Sequence, residues 1–539
     1  MAKICLCLTA KTLKRNLEIL DKYRKNADIV ELRVDCLDPD ERFLIRRFPE
    51  QAGLPAILTI RRIGDGGYFN GGEGTRVSLM ARGLAYAEAN RRLNFAYVDI
   101  EEDLNIPSLE EAARTFGTRI IRSWHSLDGN TGNISAKIRD MKCLGDDLVK
   151  IAVKANSPSD VLNLLLASRE YHAKEKIFLC MGTYGVYSRI LAEQFGSYLS
   201  YSCAPSEDGI VKGADNQMDI KELAELYRFR SINKSTKIYG MVGNPPLAQE
   251  NMRFFNSVFG LEEIDAVYVP FPVNSLAGFM KLAHELDVAG LSVSGPYKEE
   301  IVPFLYQDSQ QVELSGSCDT VYRNGIFWAG VNMGIRCFSE LLLDFIRDQG
   351  FKPPFFKALI KRLKPRVQAP ILDLRWMKVT LIGAGEMAKV VAAELYRLGM
   401  DVLVLDHSVI KARELAVKYK FTWGAVDIKG IEMIEKYRDI IFQTLPAAKE
   451  ESVSGDARLQ GNSGSLDELD IYVFSGKEAV IDLDWKPGRS RFLARAAEAG
   501  CRTMNGYELY ARQAQYQYAQ FMGKDFAPQL FTRVQFGRS

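Results

Sequence analysis

Eight short apolar runs, each followed by residues of helical period, fill the first 230 positions and restrict the fold more than any other feature of the chain. The runs are Lys3–Thr9, Asp28–Asp35, Pro55–Arg62, Phe95–Glu101, Arg119–Ser126, Leu148–Ala155, Lys176–Gly182 and Tyr198–Cys203. Helical segments lie between them, at Lys11–Lys25, Val77–Arg92, Ser159–Glu175 and Tyr187–Phe195, with Ile220–Tyr227 after the last run. Strand alternating with helix in this way predicts a (β/α)8 TIM barrel, whose chemistry gathers where the strands end at the C-terminal face.

The polar residues at those strand ends form a coherent set. Strand two carries Glu31, Arg33 and Asp35, strand three ends at Arg61-Arg62, strand four at Asp99-Ile100-Glu101 and strand five at Ser123-Trp124-His125. Strand six, Leu148–Val153, holds Lys150 inside an apolar run, and Arg189 follows strand seven. A lysine so placed either reaches a polar cavity or gives up its charge, and a neutral amine adds to ketones to form a Schiff base. With a histidine for proton transfer and arginines that fork onto carboxylates, the set suits a small keto acid.

The segments Glu31-Leu32-Arg33-Val34-Asp35, Ser123-Trp124-His125-Ser126, Lys150-Ile151-Ala152-Val153 and Gly185-Val186-Tyr187-Ser188-Arg189 resemble type I 3-dehydroquinate dehydratase over about residues 1–230. The resemblance implies that Lys150 forms the Schiff base with 3-dehydroquinate and that His125 is the general acid/base. It also implies that Glu31 supports the histidine region, and that Arg33, Arg61, Arg189 and Gln217 hold the substrate. Two positions depart from the family: Gly213 stands at a usual serine and Asn70 at a usual acid.

Residues 236–340 read as a second module, with Gly243-Asn244-Pro245 after a strand and Ser292-Val293-Ser294-Gly295-Pro296-Tyr297-Lys298 further on. This order resembles the substrate domain of shikimate dehydrogenase, and implies a catalytic role for Lys298 and substrate contacts from Gln249, Asn251, Ser294 and Asp319. Gly330-Val331-Asn332-Met333-Gly334 departs most: glycine replaces the aspartate that pairs with the family's lysine.

Phe351–Leu374 is a basic connector, and residues 375–500 carry the clearest cofactor signal. The strand Met377–Ile382 runs into Gly383-Ala384-Gly385-Glu386-Met387-Ala388 and a helix, a Gly-x-Gly-x-x-Ala turn in the strand–turn–helix setting of a Rossmann domain. Such a turn lets backbone N–H groups approach a pyrophosphate at the helix N-terminus. Asp406 lies 23 residues beyond Gly383, where an acid accepts from a ribose 2′-OH and repels a 2′-phosphate. The cofactor is therefore NAD or NADP, with NAD favoured, although Lys411 or Arg413 could meet a phosphate. Residues 451–468 read as an insertion, and Trp485 stands at a usual tyrosine. Residues 501–539 read as a closing helix that returns to the substrate domain, with Gln513 at a position that contacts substrate in the family.

The order of modules resembles the fused dehydratase–dehydrogenase of the shikimate pathway. It implies dehydration of 3-dehydroquinate to 3-dehydroshikimate, followed by nicotinamide-dependent reduction to shikimate. The alternative is an active dehydratase fused to a dehydrogenase-like module with an altered substrate or only a binding or regulatory role; Gly334 favours it. With 70 Lys+Arg against 68 Asp+Glu, nothing marks the chain for nucleic acid or an anionic membrane. Nine scattered cysteines lack metal spacing, so no metal and a reducing, cytoplasmic location are expected. The expected partners are the small-molecule substrates, with a homodimer left open.

Overall fold

The computed structural model describes residues 1–539 except 85–89, 130–131, 142, 174, 206–212, 215, 244–246, 349–373, 446–468, 470, 484–489, 528–529 and 531–539. Asn244-Pro245, nearly all of the connector, the insertion 451–468 and Trp485 lie outside the described residues. Two compact units emerge, Met1–Tyr297 and Lys298–Ala527.

In the first unit the eight predicted strands are β1 Lys3–Leu8, β2 Ile29–Arg33, β3 Ala56–Thr59, β4 Tyr97–Glu101, β5 Arg119–Ser126, β6 Leu148–Lys154, β7 Lys176–Met181 and β8 Leu199–Cys203. They lie in the order β7-β6-β5-β4-β3-β2-β1-β8, with the two-residue strand Met218–Asp219 beside β8. The β7–β8 seam is bridged where Tyr198 N–H donates to the Lys176 carbonyl at 2.6 Å. The expected barrel is thus a parallel sheet curled on itself, its seam joined by a backbone bond and not by a ladder. The helix predicted at Val77–Arg92 starts earlier, at Glu73, and its first turns include Arg76, which reaches Glu101 at 2.6 Å. The helix predicted to reach Phe195 ends at Ile190, and Ile220–Tyr227 contains a π-helical turn, Glu222–Leu226.

Period-two alternation decides what faces the inside of the curl. Cys5, Ile29, Ile57, Tyr97, Ile121, Leu148, Ile177 and Leu199 share one apolar cluster. Two residues further along their strands stand Cys7, Glu31, Thr59, Asp99, Ser123, Lys150 and Tyr201, all buried. The interior therefore gains polar groups toward the C-terminal side of most strands, whereas β7 stays apolar through Leu179 and Met181. The same unit continues into a parallel sheet of Lys237–Val242 flanked by Ala266–Phe271 and Val288–Val293. Tyr187 packs on Phe271 with ring centroids 5.2 Å apart, and Arg169 pairs with Glu285 at 2.6 Å.

In the second unit, Thr320–Asn324 and Phe327–Val331 form an antiparallel hairpin that leads into the helix Met333–Asp348. Six parallel strands follow, ordered Thr422–Ala425, Asp401–Asp406, Lys378–Ile382, Ile440–Gln443, Ala479–Asp482 and Arg502–Asn505. In chain order this is 3-2-1-4-5-6, the Rossmann arrangement, which binds dinucleotides where the order reverses. Both faces of Lys378–Ile382 are covered, Val379 and Leu381 in one cluster and Ile382 in another, and the buried Thr380 between them donates Oγ1 to the Tyr437 carbonyl at 2.9 Å. The closing helix Tyr507–Met522 meets Met333–Asp348 through Arg512 and Asp344 at 3.2 Å.

Candidate active sites

A cavity of about 530 Å³ opens at the C-terminal side of the curled sheet, lined among others by Glu31, Arg33, Arg61, His125, Lys150, Arg189, Tyr201 and Gln217. Every residue expected there on the barrel is present. β5 and β6 run in parallel with Ser123 opposite Lys150 and His125 opposite Ala152, so the histidine and lysine face the same space from neighbouring strands.

Lys150 Nζ lies 2.8 Å from Asp99 Oδ2 and 4.4 Å from the centre of the Tyr201 ring. The buried lysine is therefore paired with a carboxylate across the strands. Asp99 also accepts from Arg61 Nη2 at 2.7 Å and Ser123 Oγ at 2.5 Å. Burial alone would raise its pKa, but Arg61 and Lys150 beside it hold the carboxyl well below the usual range. Arg61 passes the charge on to Glu101 at 2.8 Å, and Glu101 to Arg76 at 2.6 Å, so cations and anions alternate along the network.

His125 is neutral at neutral pH. Burial pushes its pKa well down, and the Arg61 and Lys150 cations add to the effect. Its Nδ1 faces Arg61 Nη1 at 3.5 Å, too long for a good hydrogen bond. Glu31 accepts from Thr59 Oγ1 at 2.9 Å and from Cys7 Sγ at 3.0 Å, so its bonds are to β3 and β1, not to the histidine it is expected to support. Arg61 is engaged by two carboxylates, which makes it a holder of Asp99 and Glu101 first. Arg33 pairs with Asp35 at 2.7 Å and donates to the Gly213 carbonyl at 3.0 Å. Gln217 donates to Cys7 Sγ at 2.9 Å and accepts from Gly213 N–H at 3.0 Å. A Cβ at Gly213 would come within 3.1 Å of both Arg33 Nη1 and Gln217 Oε1, so the space of the usual serine is already crowded.

Arg189 differs from the other arginines. It is 2% exposed, one terminal nitrogen has no hydrogen-bond partner, and the other reaches the Tyr201 carbonyl at 3.5 Å. Burial pushes its pKa down. A guanidinium so placed against a cavity is a receptor for an anion. Asp99, Tyr201 and Arg76 are the residues whose part in the site the sequence motifs did not assign. Asp99 and Tyr201 could have been found from the inward period of β4 and β8; Arg76 comes from a helix and carries no such signal.

On the segment after the barrel, Gln249 is exposed on the helix Leu247–Leu261, whereas Asn251 is buried with Nδ2 3.7 Å from Met241 Sδ. The two side chains therefore face different surroundings. Ser294 Oγ donates to the Val242 carbonyl at 3.2 Å.

In the second unit, Lys298 lies on the short helical turn Tyr297–Glu300, and its carbonyl accepts from Cys318 N–H at 2.8 Å. Asp319 Oδ2 accepts from Gly334 N–H at 2.7 Å and from Gln513 Nε2 at 3.0 Å, bringing three of the singled-out positions together. At the nucleotide turn, Gly383 has φ +105°, and a Cβ there would meet Thr444 Oγ1 at 2.2 Å, so only glycine fits. Gly385 precedes the helix Glu386–Arg397, and a Cβ there would meet nothing within 4 Å, which leaves room for a pyrophosphate. Met387 is partly buried against the sheet, and Ala388 is fully buried where helix and sheet approach. Asp406 accepts from Ala384 N–H and Ser408 N–H, both at 2.8 Å, so it also clamps the turn. These residues fit a dinucleotide. Among the described residues no group of three or more His, Cys, Asp and Glu could hold a metal. No described helix is long and apolar enough to cross a membrane.

Family models match in the same order as the modules: type I 3-dehydroquinase at residues 4–234, shikimate dehydrogenase substrate binding domain at 242–321, and shikimate/quinate 5-dehydrogenase at 366–458. The chain is 25% identical over 548 residues to the chloroplastic bifunctional 3-dehydroquinate dehydratase/shikimate dehydrogenase of Arabidopsis thaliana, covering 98% of this chain and 84% of that protein. It is 31% identical over 232 residues to the 3-dehydroquinate dehydratase of Methanocaldococcus jannaschii, covering 42% of this chain and 99% of the relative. It is 26% identical over 306 residues to the shikimate dehydrogenase (NADP(+)) of Caldanaerobacter subterraneus, covering 55% of this chain and 96% of the relative. The chain thus belongs to the type I 3-dehydroquinase family and continues into a shikimate dehydrogenase unit, which makes it a bifunctional dehydratase–dehydrogenase of the shikimate pathway.

Proposed function

We propose that Lys150 is the Schiff-base nucleophile, His125 the proton carrier and Arg189 the receptor of the substrate carboxylate. The observation that carries this reading is that all three line one cavity, where Arg189 holds a terminal nitrogen without a hydrogen-bond partner. Asp99 holds the Lys150 nitrogen in place until a proton leaves it. The amine adds to the ketone of 3-dehydroquinate, and loss of water gives the iminium. Neutral His125 accepts the proton from the carbon beside the iminium, and its protonated form then donates to the departing β-hydroxyl. Hydrolysis releases 3-dehydroshikimate and restores the lysine. Arg33 and Gln217 meet substrate hydroxyls, and Arg61 keeps the acidic pair aligned.

The second half reduces 3-dehydroshikimate to shikimate. We assign residues 236–340 to substrate binding and 375–500 to the nucleotide, with the closing helix of 501–539 against the substrate side. When bound at Gly383–Ala388, a nicotinamide cofactor supplies the hydride. Lys298 is assigned the proton for the carbonyl oxygen, and Gln249, Asn251, Ser294, Asp319 and Gln513 are assigned substrate contacts. The Asp406 carboxylate favours NAD over NADP through its charge, and nine scattered cysteines without metal spacing suit a reducing, cytoplasmic setting.

Borohydride added during turnover of 3-dehydroquinate should fix the substrate carbon skeleton on Lys150, read by peptide mass. Lys150→Ala should abolish dehydration while melting as the parent does. A covalent mark elsewhere, or dehydration without Lys150, would sink the assignment. NADH and NADPH oxidation by 3-dehydroshikimate, followed separately in the same sample, tests the second half.

A further inference from the structure

Five cations line the dehydratase cavity: Arg33, Arg61, Lys150, Lys154 and Arg189. Three of them are answered by acids, Arg33 by Asp35, Arg61 by Asp99 and Glu101, and Lys150 by Asp99. Among the described residues, Arg189 and Lys154 pair with no acid. The acids on the lining, Glu31 and Asp65, are already engaged, Glu31 with Thr59 and Cys7 and Asp65 with Arg62. 3-Dehydroquinate brings one carboxylate, for which buried Arg189 is the receptor. Lys154 is then a second cation with no counterpart in the bound substrate.

Strand period explains where Lys154 stands. Lys150, Ala152 and Lys154 alternate along β6, and all three line the cavity. Lys154 is the last residue of that strand, about 13 Å beyond Lys150 at the usual rise per residue. Lys150 is 5% exposed, whereas Lys154 is half-buried. The stem of Lys154 lies along the end of β7. The residue stands opposite Met181, and its Cγ is 3.6 Å from where a Cβ on Gly182 would be. Lys150 therefore belongs to the interior of the cavity and Lys154 to its mouth.

We propose that Lys154 captures the substrate carboxylate at the cavity mouth and passes it inward to Arg189. This rests on the dehydratase reading given above. A half-exposed ammonium adds little to equilibrium affinity, because water screens it. Its field acts on a mobile anion before contact, and one unit charge at contact distance in water changes the encounter about fivefold. Two unanswered cations for one carboxylate are thus two successive stations. Lys154 speeds entry, and Arg189 holds the bound state.

Three variants of the full chain test this: Lys154→Met, Lys154→Arg and Lys154→Glu. Methionine keeps the stem along β7 and removes the charge. Lys154→Met should lower kcat/KM for 3-dehydroquinate about fivefold at about 10 mM salt, with kcat within about twofold of the parent. The gap should close at about 0.5 M salt, where the field reaches only a few ångström. Lys154→Arg should behave as the parent, and Lys154→Glu should fall below Lys154→Met. Association of 3-dehydroquinate with Lys150→Ala and with Lys150→Ala/Lys154→Met, followed by tryptophan fluorescence, reads entry without chemistry. The single variant should bind about fivefold faster at low salt. Equal kcat/KM and equal association rates at low salt overturn the proposal. So does a loss that salt leaves unchanged, which makes Lys154 a brace of the strand end, and so does a loss carried by kcat. A parent that does not dehydrate 3-dehydroquinate, or a Lys150→Ala protein that still does, refutes the dehydratase reading, while the association rates still decide Lys154.

Discussion

Arg189→Met should make the dehydratase unit more stable and nearly useless. The guanidinium is 2% exposed, one nitrogen lacks a partner, and the other has a long 3.5 Å contact to the Tyr201 carbonyl. Methionine fills much of the same volume without a charge to desolvate. Replacing buried charge with an apolar side chain of similar size commonly gains about 1–4 kcal/mol, and the lower half of that range applies because the cavity admits water. For a unit of this size about 1–2 kcal/mol corresponds to a rise of roughly 2–8 °C in melting temperature. Substrate binding moves the other way. A forked, charge-assisted contact to a carboxylate contributes about 3–4 kcal/mol, so kcat/KM for 3-dehydroquinate should fall by roughly two to three orders of magnitude. Arg189→Lys keeps the charge but not the fork and should fall between. Thermal unfolding with and without substrate, together with steady-state dehydration, measures both effects. A variant that melts below the parent while its kcat/KM stays within about fivefold would show that Arg189 braces the fold and meets no anion.

Three further outcomes follow from the same geometry. Asp99→Asn leaves Lys150 and Arg61 buried with one carboxylate fewer, so it should lower stability by about 3 kcal/mol and remove dehydration, checked by denaturant unfolding beside activity. His125 has a folded pKa below its unfolded value of 6.5, so the unfolded chain binds the extra proton. Its contribution is therefore present above pH 6.5 and lost as pH falls beneath it, by up to about 1.4 kcal/mol per pH unit; His125→Gln should flatten that slope in melts between neutral and mildly acidic pH. Asp406→Asn keeps an acceptor for Ala384 N–H but removes the charge, and should raise the ratio of NADPH to NADH turnover by about tenfold. An unchanged ratio would remove Asp406 from cofactor choice.

The elements were legible wherever local physics decides them. The eight strands of the first unit begin and end within a few residues of their apolar runs, because a strand buried on both faces has no choice of composition. The lining of the cavity was legible too, since strand period alone sends Lys150 and His125 to the inner face. What the sequence could not hold was pairing. Lys150 and Asp99 meet across 51 residues, and Arg76 reaches Glu101 from a helix, so no spacing rule links them. Glu31 was read with the histidine and instead bonds Cys7 and Thr59, because register between strands, not position along one, selects its neighbours. The same holds for Arg61, whose two carboxylates come from a different strand.

The two units differ in how far position along the chain stands for position in space. In the first, Glu31, Asp99, His125 and Lys150 rise from strands locked into a single parallel register, so a motif matched along the sequence is also matched in the cavity. In the second, a hairpin, a helix start and a closing helix are three pieces that converge on Asp319. Asp319 and Gly334 are 15 residues apart, yet the oxygen of one lies 3.0 Å from where the side chain of the other would begin. Gly334, taken along the chain, departs from a motif; taken in space, it is where the helix start meets the Asp319 carboxylate, its N–H donating to Oδ2 at 2.7 Å.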